Sequence, residues 1–373
     1  MSDLTLVLLG AGNSSRFGLD VKKQWLWCGN EPLWLYVTNR FTDMFPFHDV
    51  VITAHPKEIP FYKKFCHHTI VKGADTRQQS LLNALEMVKT PYVLVSDIAR
   101  PCIQKEVVQK IIDNRSKAAC IVPYIQPADT VVYKNETIDR NEVKLIQTPQ
   151  LSSTDILRKA LTQGKEFTDE SSAIQALGEK VFYILGNRKQ HKLTYKEDMK
   201  LLNCLQKPSA TKRIGNGLDV HAFCEDRKLY LCGIEIPYDK GLAGHSDADV
   251  AIHALIDALL GAAGFGDIGE LFPDSDETYK DIDSKKLLCE TVRLLRACGF
   301  VIEHVDLTIV AQNPKIGPFK EKMKESLHDL LQIPYHLINL KATTTEHLGF
   351  VGRNEGIAAM ATATLHYFDW SEI

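Results

Sequence analysis

Asp219 and His221 lie two residues apart in the segment Gly215-Asn216-Gly217-Leu218-Asp219-Val220-His221. That spacing constrains the fold more than any other feature of the chain. In a strand, positions i and i+2 share a face, so the two side chains converge on one point. A third ligand-type residue follows in His245-Ser246-Asp247-Ala248-Asp249-Val250-Ala251-Ile252-His253. Ser246 and the acids after it read as an N-cap opening a helix, which places His253 about two turns inside it. A lone histidine on so apolar a helix is most often a core residue, but the paired Asp219 and His221 reverse that weighting. An Asp-His-His set with one open position suits a catalytic zinc ion. The set begins near residue 213, far from a glycine-rich loop close to the other end of the chain, so the sequence predicts two separate active centres.

The length of 373 residues agrees with two domains. A formal net charge of −3 argues against a general nucleic-acid binder. The nine cysteines are scattered and lack a C-x-x-C pair, which reads as reduced thiols in a cytoplasmic protein rather than a disulfide framework. No basic leader precedes the first apolar run, and no run approaches the roughly 18–20 apolar residues of a membrane span.

Residues 4–9, 50–54, 92–96 and 118–123 are apolar runs of strand length, and residues 80–89 and 105–114 between them have helical period. This alternation predicts an α/β fold with a doubly wound, mostly parallel sheet, whose ligands bind at the carboxyl ends of the strands. Residues 125–150 break the rhythm, and Val131-Val132-Tyr133 reads as a strand of a projecting arm used for dimer contact. The polar stretch Lys207-Pro208-Ser209-Ala210-Thr211-Lys212-Arg213 marks a domain boundary. The expected domains are residues 1–207 and 213–373, joined by a linker over 208–212.

In the first domain, Gly10-Ala11-Gly12-Asn13-Ser14-Ser15-Arg16-Phe17-Gly18 follows the first strand directly. Glycines let backbone N–H groups approach phosphate oxygens. A dinucleotide loop or a plain tight turn fits the two glycines as well. Ser15 in place of a third fingerprint glycine, Arg16 inside the loop and Lys23 beyond it favour a triphosphate. Asp97, in Ser96-Asp97-Ile98-Ala99-Arg100-Pro101, ends a strand and suits Mg²⁺, or caps a turn. Gly73-Ala74-Asp75-Thr76-Arg77-Gln78-Gln79-Ser80 either contacts a base and ribose or is an ordinary helix N-terminus.

Together with Asp139-Arg140-Asn141, Gln147-Thr148-Pro149-Gln150, Thr168-Asp169-Glu170 and Lys192-Leu193-Thr194, these segments resemble the 2-C-methyl-D-erythritol 4-phosphate cytidylyltransferases over about residues 3–205. The resemblance implies a Rossmann-like nucleotidyltransferase domain. In it Ala11, Gly12, Ala74, Asp75 and Ser80 surround CTP, Asp97 holds Mg²⁺, and Arg16 and Lys23 stabilise the triphosphate charge. Arg140, Thr148, Thr168 and Lys192 grip the methylerythritol phosphate, partly from a neighbouring subunit. The chain departs from the family at Gly10 and at Ile98, where alanine is usual; Ile98 adds bulk beside the metal aspartate.

In the second domain, Gly266-Asp267-Ile268-Gly269 with Phe272-Pro273-Asp274-Ser275-Asp276 is an acidic loop whose Asp267 can accept from a ribose. Ala311-Gln312-Asn313-Pro314-Lys315-Ile316-Gly317 can cradle a base, and Lys341-Ala342-Thr343-Thr344-Thr345-Glu346 offers hydroxyls and a carboxylate for a second cation. Each alone is equally well a structural turn. As a set, residues 213–367 resemble the 2-C-methyl-D-erythritol 2,4-cyclodiphosphate synthases, which implies an α+β domain. The resemblance further implies zinc on Asp219, His221 and His253, transition-state stabilisation by His245 and Thr344, and Mg²⁺ or Mn²⁺ held with Glu346. Ser246, Asp267, Gly269, Phe272, Asp276, Ala311, Lys315, Thr343, Thr345, Phe350 and Arg353 would complete the nucleotide and substrate pocket. Ala248 stands where that family often has glycine. It also implies a trimeric second domain beside a dimeric first, together building up to a hexamer.

The expected chemistry is therefore two non-consecutive phosphorus transfers of non-mevalonate isoprenoid synthesis, with the intervening kinase as a separate, recruited partner. A nucleotide-binding sensor or scaffold with decayed sites is the alternative. The complete set of ionisable groups in both halves argues against it.

Overall fold

The computed structural model describes residues 2–273, 275–279 and 282–373; Asp274 of the acidic loop lies outside them. The chain divides into two compact units, one running to Pro208 and including Asp369–Ile373, the other covering Ser209–Phe368. The last five residues thus group with the first unit, not with the span 213–373. Trp370 explains this: its Nε1 donates to the Trp27 carbonyl at 2.7 Å.

The first unit is built on strands β1 (Leu4–Leu9), β2 (Val50–Ala54), β3 (Thr69–Lys72), β4 (Tyr92–Asp97), β5 (Cys120–Ile125), β6 (Leu145–Ile146), β7 (Gln150–Ser153) and β8 (Val181–Leu185). Their order is β6-β5-β7-β4-β1-β2-β3, with β8 also pairing β5. The run β3-β2-β1-β4 is parallel and β7 is antiparallel to β4. Its helices are α1 (Leu33–Met44), α2 (Arg77–Leu85), α3 (Lys105–Asp113), α4 (Thr154–Leu161) and α5 (Glu170–Ala176). The central strands are buried on both faces, as covered parallel strands must be: Leu6, Val7, Leu8, Val51, Ile52, Leu94 and Val95 are all inaccessible. In α3, Val107, Val108, Ile111 and Ile112 face the core while Lys105, Glu106, Gln109 and Lys110 face water. The chain runs to opposite sides of β1, to β2 and to β4, so the crevice at the carboxyl ends of β1 and β4 is the switch point where such sheets bind ligands.

Residues 131–138 form an exposed hairpin, Val131–Tyr133 against Glu136–Ile138. Cys102 and Cys204 are joined by a disulfide, and the other seven cysteines form none. That pair departs from the expectation of reduced thiols throughout. Its partners are 102 residues apart, so only the tertiary fold brings them together.

The second unit packs α6 (Val250–Ala263), α7 (Ser284–Ala297) and α8 (Lys320–Leu331) on a mixed sheet. The sheet runs Gly241–Leu242, β9 (Arg213–Cys224), β12 (Gly356–Tyr367), β10 (Phe300–Val310), β11 (Ile338–Thr343). Two glycines set the helix-to-sheet distance. A Cβ on Gly215 would lie 2.2 Å from the Ala258 carbonyl oxygen, and one on Gly217 would lie 2.1 Å from that of Ala254. The bare backbone of β9 therefore lies directly against α6. No helix among the described residues is long and apolar enough to cross a membrane.

Helix α6 starts later than the sequence suggests. Asp249, not Ser246, is its N-cap, accepting from Ile252 N at 3.1 Å, and the same carboxylate also takes the N–H groups of Cys232 and Gly233. Three convergent donors outcompete the Ser246 hydroxyl, which instead accepts from Ala248 N. Ala248 has φ +58°, the left-handed region that explains why glycine suits this position.

Candidate active sites

The first constellation occupies the switch-point crevice, a cleft of about 300 Å³ lined by residues 9–16, Lys23, Gln24, residues 74–77, Ser80, residues 97–99 and Lys192. Gly73 makes the closure possible, since a Cβ there would sit 2.1 Å from the Ala11 methyl group. Of the residues expected here, Ala11, Gly12, Arg16, Lys23, Ala74, Asp75, Ser80, Asp97 and Lys192 all line it. Arg140, Thr148 and Thr168 do not: Arg140 donates to the Ala128 carbonyl at the base of the hairpin, Thr148 is buried, and Thr168 is exposed. Thr76 caps α2, and Ser80 Oγ accepts from Ala74 N at 2.9 Å. Ser80 therefore shapes the loop from inside.

Cations surround one carboxylate. Asp97 accepts from Lys192 Nζ at 2.7 Å and faces Arg77 Nε at 3.4 Å. Burial pushes the Asp97 carboxyl up, but Arg77 and Lys192 outweigh it and hold it well below the usual range. Burial lowers Lys23, and Lys192 and Arg16 lower it further, as expected where positive charges crowd one cleft. A polyphosphate would relieve that repulsion. The carboxylate at the strand end is also the donor type a hard divalent cation takes.

Three supporting residues have no local sequence signal. Arg77 donates to the fully buried Glu170 at 2.7 Å, anchoring the cation that faces Asp97. Gln24 donates to the Gly12 carbonyl at 3.1 Å. Buried Glu58 pairs with Lys22 and accepts from Trp25 Nε1, fixing the turn that carries Lys23.

The two departures from the family pattern explain each other. A Cβ on Gly10 would lie 2.2 Å from Ile98 Cδ1, so the isoleucine fills the volume an alanine at position 10 would use, and it points into the core, 2 % exposed. Gly10→Ala is therefore expected to destabilise the first unit by about 1–3 kcal/mol through overpacking. In an Ile98→Ala background the same change should cost much less, the contact left being the Thr53 carbonyl oxygen at 3.1 Å. A denaturation cycle over the four proteins measures the coupling, and additivity would refute the pairing.

The second constellation joins β9 to α6. Asp219 and His221 share the β9 face with Gly215 and Gly217, and His253 reaches them from the helix. Asp219 Oδ2 lies 3.0 Å from His221 Nε2 and 3.1 Å from His253 Nδ1, and the two ring nitrogens are 3.4 Å apart. These three form the one cluster of metal-type ligands among the described residues, with ligand atoms within 4.8 Å of one another. His221 Nδ1 faces the Ala243 carbonyl at 2.5 Å. A carbonyl only accepts, so Nδ1 carries a hydrogen; Nε2 faces Asp219, donating to it when the ring is protonated and offering a lone pair when a cation takes the place of that proton. Burial raises the Asp219 carboxyl, but hydrogen bonds to His221 and His253 hold it well below its ordinary range; burial lowers His221 and Asp219 raises it more. Converging acceptors of this kind fit a divalent cation, and imidazole with carboxylate suits zinc.

The remaining expected residues of this unit occupy local arrangements. Thr344 Oγ1 donates to Glu346 at 2.7 Å, and Glu346 is outside the three-ligand cluster, so the described residues of one chain offer no second such cluster. Asp267 caps the helical turn Ile268–Leu271 by accepting from Glu270 N, and Asp276 accepts from Thr278. Arg353 pairs with Glu355, Phe350 is 40 % exposed, and Gln312, beside Ala311, accepts from His347 N. His245 and Lys315 are exposed.

Comparison with known proteins separates the same two parts. Residues 4–206 match the family model described as 2-C-methyl-D-erythritol 4-phosphate cytidylyltransferase, and residues 212–366 match that of the YgbB family. Among curated proteins, a "Bifunctional enzyme IspD/IspF" of Campylobacter fetus is 54 % identical and one of Sulfurovum is 52 % identical, each with all of both chains covered. A solved structure, the bifunctional IspDF from Campylobacter jejuni, superposes with a TM-score of 0.87 at 46 % identity, covering 99 % of this chain and 100 % of that one.

Proposed function

Because this chain belongs to the family of bifunctional IspD/IspF enzymes, a CTP-dependent cytidylyltransferase joined to a cyclodiphosphate synthase of isoprenoid biosynthesis, we propose that each of its two units carries one complete chemistry. In the first, the 4-phosphate oxygen of methylerythritol phosphate attacks the α-phosphorus of CTP and pyrophosphate leaves. The loop N–H groups of residues 11–16 and the side chains of Arg16 and Lys23 take up the charge on the triphosphate. Asp97 would hold Mg²⁺, which supplies further neutralisation of the phosphate oxygens. Ala74 and Asp75, on the loop that Ser80 ties down, flank the nucleoside. Lys192 orients the attacking phosphate, and Arg140, Thr148 and Thr168 add their grip, partly from a neighbouring subunit. No protein nucleophile is required, because positioning and charge stabilisation suffice for such transfers.

In the second unit, the 2-phosphate of the cytidyl substrate attacks the β-phosphorus and CMP leaves. Asp219, His221 and His253 would hold zinc, which acts as Lewis acid and template for the diphosphate. His245 and Thr344 stabilise the transferring group, and Thr343, Thr345, Glu346, Phe350 and Arg353, with Ser246, Asp267, Gly269, Phe272, Asp276, Ala311 and Lys315, form the pocket. Glu346 would help hold Mg²⁺ or Mn²⁺ together with groups of a neighbouring subunit or of the substrate. The convergence of a carboxylate and two imidazoles carries this reading. Treating the protein with a chelator should abolish CMP release and remove about one zinc per chain. Readdition of zinc with Mg²⁺ should restore it, and CMP release that survives exhaustive metal removal would refute the site.

An exposed apolar stripe supports assembly. Ile214, Leu218 and Met360 are 69 %, 62 % and 55 % exposed, and Leu218 pairs directly with Met360 across β9 and β12. We expect trimers through this face and dimers through the first unit's hairpin, giving a cytoplasmic hexamer. Leu218→Asp should shift the sedimenting mass down to that of smaller species; an unchanged mass would exclude this face. The kinase of the intervening step is the expected partner, tested by co-sedimentation at micromolar concentration.

A further inference from the structure

We propose that Ser284 and Asp247 fix the tautomer of His253 and thereby set the affinity of the three-ligand centre for its cation. This rests on the metal reading of that centre and adds two positioning residues outside the ligand set. His253 uses Nδ1 toward Asp219 and His221. Its other nitrogen, Nε2, lies 3.0 Å from Ser284 Oγ and 3.2 Å from Ser246 Oγ. Ser284 is the first residue of α7 and is wholly buried, so no solvent competes for its hydroxyl.

A hydroxyl has one hydrogen to give. Ser284 Oγ gives it to Asp247 Oδ1, and Ser284 N donates to Asp247 Oδ2 at 3.2 Å. Only acceptor capacity remains on the Ser284 oxygen, so the hydrogen between it and His253 must sit on Nε2. Ser246 Oγ already accepts from Ala248 N at 3.1 Å and lies 3.5 Å from Ser284 Oγ. Its own hydrogen can go to Ser284, which leaves it a second acceptor for the same imidazole. With the Nε2 hydrogen held by Ser284, Nδ1 is the nitrogen left to offer a lone pair to a cation at the point where Asp219 and His221 converge. Asp247 thus acts at one remove, through a buried serine, as outer carboxylates do for metal-bound histidines.

The decisive test is zinc affinity of the full-length chain, first stripped by chelator and then titrated in competition with a chromophoric chelator. Ser284→Ala should weaken zinc binding by about 10–100-fold, the range typical for loss of an outer partner. Ser284→Thr, which keeps the hydroxyl, should recover most of the affinity. Asp247→Asn should behave like Ser284→Ala, because its amide no longer takes the serine hydrogen with a full charge. Circular dichroism and the thermal unfolding of each full-length variant, which cover the second unit, should match the parent, and pyrophosphate release by the first unit should not change. Nitrogen-15 shifts of His253 in the metal-free parent should show the hydrogen on Nε2. Equal zinc affinity in parent and Ser284→Ala, or a metal-free His253 protonated on Nδ1, overturns the proposal. A parent chain that binds no zinc overturns the metal centre itself, and the proposal with it.

Discussion

Asp97→Asn is expected to lower pyrophosphate release by roughly 10²–10³-fold or more, the scale of losing one preorganised electrostatic group, while CMP release stays within about two-fold of the parent. The asparagine keeps the shape of the side chain but removes the charge that Arg77 and Lys192 share and the oxygen offered to a divalent cation. It also leaves two cations facing each other, so Lys192 should swing toward solvent and lose its aim at the attacking phosphate. Breaking a buried pair from one side costs about 3–5 kcal/mol. Lys192 is more than a third exposed and Arg77 keeps Glu170, so the stability loss should fall well below that. Paired assays of pyrophosphate and CMP on the same preparation check the result. A folded variant that loses both products would refute the division of labour between the units.

His221→Ala should do the reverse. Bound zinc should fall from about one per chain toward zero, and CMP release should fall by at least about 10²-fold, beyond the range for an outer-shell partner. Pyrophosphate release should be unaltered. Without His221, Asp219 and His253 remain as two ligands, and two ligands do not hold zinc in the tetrahedral arrangement it prefers. Metal analysis after gel filtration, alongside both assays, separates loss of the ion from loss of the fold.

What the sequence made legible was what depends on neighbours a few residues apart. The i, i+2 spacing of Asp219 and His221 held because strand geometry is fixed by the backbone alone. The glycine loop was recognisable because it follows β1 without interruption. Interactions that close over long separations were not legible. Arg77 meets Glu170 across 93 residues and His253 meets Ser284 across 31, and nothing local marks a buried glutamate or a helix-opening serine as a partner. The start of α6 was misplaced for the same reason, since Asp249 wins the cap by also binding the amides of Cys232 and Gly233. The disulfide between Cys102 and Cys204 likewise has no signature short of the folded chain.

The shared volume between residue 10 and the side chain at 98 imposes a direction on how this loop can change. A methyl group can be added at the first position only after the second has been trimmed, because the opposite order passes through a crowded intermediate. Bringing in a relative's residue 10 ahead of its residue 98 would therefore meet a crowded step that the reverse order, or a simultaneous exchange, avoids.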